Sequence, residues 1–125
     1  MLLTLALPFG CVGCSDGGSE SYDQISGAEA KALMDSESGY IIIDARTQEE
    51  YDGGHIPGAI LIPEYEIADR AEKELADKDQ LILVYCRSGR RSKIAAEELV
   101  KLGYTNVKEF GGIIDWEYET VKYLR

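Results

Sequence analysis

The chain has 125 residues, with 13 basic and 23 acidic side chains and a formal net charge of −10. This length predicts one small domain that can bury a core of its own. The acidic balance argues against nucleic acid and against anionic membrane surfaces as partners. Only one of the three cysteines, Cys86, lies beyond residue 14, which excludes a disulfide framework within the domain.

Residues 1–18 are interpreted as a leader rather than as part of the domain. Residues 2–9 are apolar but far shorter than the roughly 20 residues of a transmembrane helix, and they are typical of a secretory signal. The segment that follows, Val12-Gly13-Cys14, resembles the lipobox of bacterial lipoproteins, in which the cysteine becomes the lipidated first residue. Cys14 is therefore the candidate lipidation site, which would tether the protein to a membrane in the cell envelope or periplasm.

Two alternatives for this leader stay open. It can be a cytoplasmic leader without a targeting role. Cys11 and Cys14 can also form a redox pair or half of a metal site.

A single domain is expected over residues 19–125, and residues 22–25 predict its first short strand. Ser26 and Glu29 have the spacing of a capping box, which predicts a helix that ends near Asp35. The side chains expected to face inward from this helix are Ala28, Ala32 and Leu33.

Residues 40–44 form a continuous apolar run that ends in Asp44. This pattern is typical of a strand buried on both faces of a parallel sheet. Asp44 and Arg46 follow at its end, where they can pair and fix the next loop. Thr47 and Glu50 form a second capping box and predict a short helix.

Gly53, Gly54 and Pro57 mark a turn around His55, the only histidine of the chain. A histidine can act as the base that activates a cysteine. We expect His55 instead to be structural, with its ring nitrogens bonded to backbone groups, because backbone N–H groups can lower a cysteine pKa without a base.

A third strand is predicted over residues 60–62, where Pro63 ends it. Residues 64–76 then have helical spacing. The side chains expected to face inward from that helix are Ile67, Ala71 and Leu75.

The most informative stretch is an apolar strand, residues 81–85, that stops at Cys86. The loop that follows consists of Arg87, Ser88, Gly89, Arg90, Arg91 and Ser92. Helical spacing then runs from Lys93 to Leu102. The backbone N–H groups of such a loop can turn inward, and the helix N-terminus can point at its centre, which makes an anion cradle. The same field favours thiolate over thiol, so Cys86 is the candidate nucleophile. The alternative is that Cys86 is only a small buried residue at the end of a strand, without a chemical role.

The last part of the chain predicts one more strand and one more helix. Gly103 is a helix stop, and residues 105–110 predict the strand. Gly111 and Gly112 would let the backbone approach the Cys86 loop closely. Trp116 is expected to pack in the core, within a final helix that ends near residue 124.

Strands that alternate with helices predict an α/β fold, with a parallel β-sheet covered by helices on both faces. Ligands of such folds bind beyond the carboxyl ends of the strands. Cys86, Asp44 and Gly111 all fall at that edge.

Three separate stretches resemble signatures of the rhodanese-like family of sulfurtransferases. They are the segment from Asp44 through Arg46 and Tyr51 to Gly-His55-Ile, the loop Cys-Arg-Ser-Gly-Arg-Arg-Ser, and the Gly111-Gly112 pair with Trp116. The resemblance implies a thiosulfate sulfurtransferase that carries sulfane sulfur as a Cys86 persulfide.

The resemblance also implies the partners and the role of each loop residue. The donor would be a small anion, thiosulfate or a persulfide, and the acceptor would be cyanide or a thiol, with no metal or organic cofactor. Separately from the resemblance, we expect the domain to act as a monomer. Arg87, Arg90 or Arg91 would attract the anion, and Arg91 is the best match to the recurring arginine of the family loop. Ser92 would cap the following helix and bond the persulfide.

Two other functions use a similar loop. Protein tyrosine phosphatases and arsenate reductases have related cysteine loops, and the phosphatases place an arginine six residues after the cysteine, where this chain has Ser92. A non-catalytic persulfide carrier or binding module could use the same fold.

Overall fold

The computed structural model describes residues 21–122, so the predictions made for the leader, including Cys11 and Cys14, lie outside the described residues. The strands are β1 (Asp23–Gln24), β2 (Ile41–Asp44), β3 (Ile60–Leu61), β4 (Ile82–Cys86) and β5 (Val107–Gly112). The helices are α1 (Gly27–Ser36), α2 (Gln48–Gly53), α3 (Ile67–Glu74) and α4 (Arg90–Lys101). Short 3₁₀ turns cover Glu64–Glu66 and Ile113–Asp115.

The five strands form one parallel sheet in the order β1-β5-β4-β2-β3. β4 is central, and all five of its residues are buried, because an apolar run with no polar face can pack on both sides of a sheet. The predicted α/β fold with a parallel sheet is confirmed.

Helices and loops bury both faces of this sheet. Val84 faces a cluster that includes Ala71 of α3 and Leu99 of α4. Leu83, next to it on β4, faces a second cluster that includes Ala30 of α1. Successive residues of a strand point to opposite faces, so one strand supplies side chains to both cores.

Both predicted capping boxes are present, on Ser26 with Glu29 and on Thr47 with Glu50. The inward face predicted for α1 is wrong in two positions, since Ala28 and Ala32 are exposed. The side chains that pack inward are Ala30, Leu33 and Met34. The two large side chains bury more apolar area than any alanine, so they set the orientation of the helix.

Helix α3 starts three residues later than predicted because a 3₁₀ turn precedes it. Its predicted inward residues are confirmed as buried: Ile67, Ala71 and Leu75. The predicted stop at Gly103 is also confirmed, since its φ is +99°. None of the helices within residues 21–122 combines the length and apolar character needed to span a bilayer.

The final helix that the sequence predicts is absent from residues 113–122. A 3₁₀ turn is followed by an irregular segment whose Val121 forms an antiparallel bridge with His55. The indole N–H of Trp116 donates to the carbonyl oxygen of Glu119 at 3.1 Å, and this bond fixes a turn where a helix would run. Trp116 packs against the second core cluster, as predicted.

Candidate active site

The carboxyl ends of the central strands bring the predicted site residues to one edge of the sheet. Cys86 ends β4, Asp44 ends β2, and Gly112 ends β5 in register with Cys86. Parallel α/β sheets bind ligands at this edge. Gly111 directly precedes Gly112, so the prediction that Cys86, Asp44 and Gly111 all fall at this edge is confirmed.

The loop after Cys86 is shorter than the sequence suggested. Arg87, Ser88 and Gly89 form it, and α4 already begins at Arg90. Gly89 occupies the N-cap position with a φ of +117°, a conformation that favours glycine.

Ser92 is therefore inside the first turn of α4, and the prediction that it caps the helix is wrong. A residue at the third helical position points its side chain back along the helix axis. Its hydroxyl lies 3.4 Å from the Cys86 sulfur and 3.1 Å from the carbonyl oxygen of Gly89.

Cys86 is a buried free thiol, with 1% of its surface exposed. The backbone N–H of Gly89 donates to its sulfur at 3.0 Å, and the thiol donates to the Ser92 hydroxyl. Burial alone would raise the pKa of the Cys86 thiol. The hydroxyl of Ser92 and the backbone N–H groups of Ser92, Gly89 and Ser88 outweigh burial, so the pKa lies below its ordinary value.

Gly112 allows the next segment to lie directly against the Cys86 loop. A Cβ at this position would stand 2.0 Å from the carbonyl oxygen of Arg87, far inside van der Waals contact. Ile114 then donates its N–H to the same oxygen at 3.2 Å. The predicted close approach at this glycine is confirmed, and neighbouring Gly111 adopts a φ of +88°.

The three arginines near Cys86 have different surroundings. Arg91 is bound by Glu50 through two hydrogen bonds of 2.8 and 3.0 Å. Arg87 and Arg90 are exposed, and neither forms an ion pair within the described residues. Arg91 was the sequence's best candidate for attracting an anion, yet its charge is balanced by Glu50, which the sequence analysis did not include in the site.

A polar and aromatic cleft lies beside the loop. Arg87, Glu50, Trp116 and Tyr118 are among the side chains that line it. Ile114, also in the lining, is 57% exposed. The cleft therefore offers an exposed cation, an apolar wall and two aromatic rings next to the Cys86 loop.

The predicted pair of Asp44 and Arg46 is confirmed and is almost fully buried. The Arg46 Nη2–Asp44 Oδ2 distance is 2.7 Å, and Arg46 also donates to the carbonyl oxygen of Gly54. The Tyr85 hydroxyl donates to Asp44 at 2.7 Å and accepts from the N–H of Ile56. Burial, followed by the charge of Asp44, raises the pKa of Tyr85. These bonds fix the loop that carries His55.

His55 has the structural contacts that the sequence predicted. Its Nδ1 lies 2.8 Å from the carbonyl oxygen of Tyr51, and the two rings are stacked with centroids 3.7 Å apart. Its backbone pairs with Val121. His55 is 7% exposed, so it holds the turn together.

Glu109 on β5 is a buried carboxylate that the sequence analysis missed. It is 2% exposed, and its Oε2 accepts from the Ser92 hydroxyl at 2.5 Å and from the Gly111 N–H at 2.9 Å. The available signal was a glutamate inside a predicted strand, because a carboxylate that such a strand buries needs partners. Over residues 21–122, no group of three or more metal-ligating side chains is arranged to hold a metal ion.

A family model described as "Rhodanese-like domain" matches residues 26–119. The chain belongs to the rhodanese-like domain family. The matched range contains the whole sheet apart from β1 and includes Cys86 with its loop. The rhodanese-like fold that the sequence resemblance implied is thereby confirmed.

Individual relatives of this rhodanese domain are named as sulfurtransferases. The thiosulfate sulfurtransferase PspE of Escherichia coli is 41% identical over 80 residues, which are 64% of this chain and 77% of PspE. The thiosulfate sulfurtransferase GlpE of Coxiella burnetii is 35% identical over 97 residues, which cover 77% of this chain and 88% of GlpE. A solved structure described as rhodanese with anions from E. coli superposes with a TM-score of 0.64 at 39% identity, covering 68% of this chain and all of that one. Family and relatives together support sulfur transfer as the general activity.

Proposed function

We propose that this rhodanese domain is a thiosulfate sulfurtransferase and that Cys86 carries the transferred sulfur. The observation that carries the proposal is the buried Cys86 sulfur, which accepts the Gly89 N–H at 3.0 Å at the start of α4. Amides and a helix N-terminus stabilise negative charge, and a thiolate is the nucleophilic form of cysteine. The relatives named as thiosulfate sulfurtransferases support thiosulfate as the donor.

The proposed reaction has two steps, each a displacement at sulfur. The Cys86 thiolate attacks the outer sulfur of thiosulfate, and the S–S bond of thiosulfate breaks with its electron pair leaving on sulfite. Cyanide or a thiolate then attacks the outer sulfur of the Cys86 persulfide, and the Cys86 thiolate leaves. Each step forms one bond to the outer sulfur and breaks one S–S bond. The reaction therefore needs no external oxidant, reductant or cofactor.

The residues of the loop have separate proposed roles. The N–H groups from Arg87 to Ser92 hold the persulfide anion, as an oxyanion hole holds developing charge. Exposed Arg87 and Arg90 attract the dianionic donor. Arg91, bound to Glu50, positions the first turn of α4.

The test is thiocyanate formation from thiosulfate and cyanide by the unmodified protein and by Cys86→Ala. We expect Cys86→Ala to lose the activity and Cys86→Ser, which keeps the shape of the side chain, to lose it as well. Equal turnover by the unmodified protein and Cys86→Ala would refute the proposal. Cys86-dependent hydrolysis of an aryl phosphate, without thiocyanate formation, would favour the phosphatase alternative.

We also propose that Cys14 carries the lipid of a bacterial lipoprotein and places the domain in the cell envelope. The support is the Val12-Gly13-Cys14 sequence after an apolar stretch. Mass spectrometry of the full chain from a bacterial membrane fraction should show lipid on Cys14, and Cys14→Ala should move the protein to the soluble fraction. The lipoprotein proposal would be contradicted if the full chain were found in the soluble fraction with Cys14 unmodified.

A further inference from the structure

We propose that Glu109 is a positioning residue that controls, through Ser92, how readily Cys86 loses its proton. The three side chains come from β5, α4 and β4, and each is at least 98% buried. Cys86 Sγ lies 3.4 Å from Ser92 Oγ, which lies 2.5 Å from Glu109 Oε2. They form a continuous chain of hydrogen bonds that the proposed sulfur transfer does not itself use.

The serine hydroxyl has a single proton to donate, and four groups surround it. The carbonyl oxygens of Gly89 and Gly111 lie at 3.1 and 3.4 Å, and the Cys86 sulfur at 3.4 Å. The Glu109 carboxylate at 2.5 Å is nearest, and its distance is typical of a charge-assisted bond from a hydroxyl to an ionised acceptor. The proton therefore lies towards Glu109, and Ser92 presents a lone pair to Cys86.

Glu109 and a Cys86 thiolate therefore compete for the single Ser92 proton. A thiol can donate its proton to the Ser92 lone pair, as the structure has it. A thiolate needs the Ser92 proton for itself, which would leave the Glu109 carboxylate facing an oxygen lone pair at 2.5 Å. A proton on Glu109 resolves the competition, because the carboxyl then donates to Ser92 while Ser92 donates to the sulfur. Ionised Glu109 consequently restrains the thiolate that the loop amides favour.

Among the groups around Glu109, only Ser92 connects its carboxylate to Cys86 by hydrogen bonds within the described residues. The second bond of the carboxylate is from the Gly111 N–H. Lys108, its neighbour on β5, is bonded to Asp23, and no salt bridge reaches Glu109 from any residue between 21 and 122. Tyr22 lies nearby; burial, then the charges of Glu97 and Glu109, raises the pKa of its hydroxyl.

The test measures the pH midpoint of thiolate formation at Cys86, from the ultraviolet absorbance of the thiolate and from the rate of alkylation by iodoacetamide. Glu109→Gln keeps an acceptor and the side-chain shape but removes the charge, and we expect the midpoint to fall by about one pH unit. Ser92→Ala should raise the midpoint. In a Ser92→Ala background, adding Glu109→Gln should change the midpoint by much less than one pH unit, because the hydroxyl that links Glu109 to Cys86 is absent.

The matched control is Glu97→Gln, which removes a carboxylate from the exposed side of α4 and should leave the midpoint unchanged. An unchanged or raised midpoint in Glu109→Gln would overturn the proposal. So would an equal fall with and without Ser92, which would show an effect of charge through space. The titration uses no sulfur donor, so its outcome is distinguishable from a failure of the proposed sulfur transfer.

A measurement on the unmodified protein covers the case in which a variant does not fold. The ¹³C shift of the Glu109 carboxyl should show an inflection at the pH where Cys86 ionises, because the Ser92 proton then turns from Glu109 to the sulfur. Alkylation of Cys86 should remove this inflection. A single inflection that alkylation does not change would overturn the proposal.

Discussion

Arg91 and Glu50 are joined by two hydrogen bonds, of 2.8 and 3.0 Å, between a guanidinium on α4 and a carboxylate on α2. Glu50 also closes the capping box of α2 with Thr47. The pair therefore connects the first turn after the Cys86 loop to the helix on the other side of the cleft. Its geometry supports the positioning role proposed for Arg91, and Arg87 is an exposed cation that lines the cleft.

Arg87→Gln tests this division of roles in the proposed reaction. We expect KM for thiosulfate to rise about three- to tenfold at low salt with little change in kcat, because an exposed charge attracts the donor by roughly 1 kcal/mol. The difference should shrink as salt increases, since screening weakens such an attraction. Lys101→Gln, at the far end of α4, is the control and should leave KM unchanged. A fall in kcat alone in Arg87→Gln would contradict this role.

The stability of the protein should depend on pH through Glu50. The guanidinium of Arg91 lowers the pKa of Glu50 to about 2, against roughly 4.3 in an unfolded chain. A lowered folded-state pKa contributes stability above the unfolded value, and this stability is lost as pH falls towards 2. Glu50→Gln should therefore cost about 1–2 kcal/mol at pH 7, after allowance for partial exposure, and much less near pH 2.5.

Urea unfolding of Glu50→Gln at both pH values measures that difference. The exposed Glu117→Gln serves as the control, and its unfolding free energy should follow the unmodified protein at both values. A constant cost for Glu50→Gln at pH 7 and pH 2.5 would show that the pair contributes no proton-linked stability.

The sequence predicted the elements that depend on local pattern and missed contacts between distant segments. The buried strand before Cys86, the capping boxes and the Asp44–Arg46 pair are local features with known physical causes. The Glu50–Arg91 and Glu109–Ser92 bonds join residues 41 and 17 positions apart, and no periodicity indicates which partners will meet. The prediction of a final helix was wrong. The hydrogen bond from the Trp116 indole to the Glu119 carbonyl oxygen fixes a turn in this segment, and helical spacing did not indicate that bond.

Gly112→Ala should disrupt the loop that holds Cys86. The added Cβ would overlap the carbonyl carbon and oxygen of Arg87, at 2.4 and 2.0 Å, and backbone atoms cannot rotate aside as a side chain can. We expect a loss of about 3 kcal/mol in unfolding free energy, at the upper end for overpacking, with slower alkylation of Cys86 at pH 7. Gly53→Ala meets nothing within 4 Å and should change the unfolding free energy by less than about 1 kcal/mol. Equal effects of the two variants would contradict the close approach.

Arg46→Met should destabilise the fold more than any exposed ion-pair variant. It leaves the Asp44 carboxylate, which is fully buried, without its counter-charge, and breaking one side of a buried pair costs about 3–5 kcal/mol. Lys31→Met, which breaks the exposed pair with Asp35, should cost less than about 1 kcal/mol. Denaturant unfolding of both variants provides the comparison, and similar midpoints for the two would refute the assigned role of the buried pair.

The identity of the sulfur-carrying atom is tested most directly by mass spectrometry of the intact protein after incubation with thiosulfate. The account predicts a gain of one sulfur atom on the Cys86 peptide, its loss when cyanide is added, and no gain in Cys86→Ala. A protein that produces thiocyanate while Cys86 never gains sulfur would contradict it.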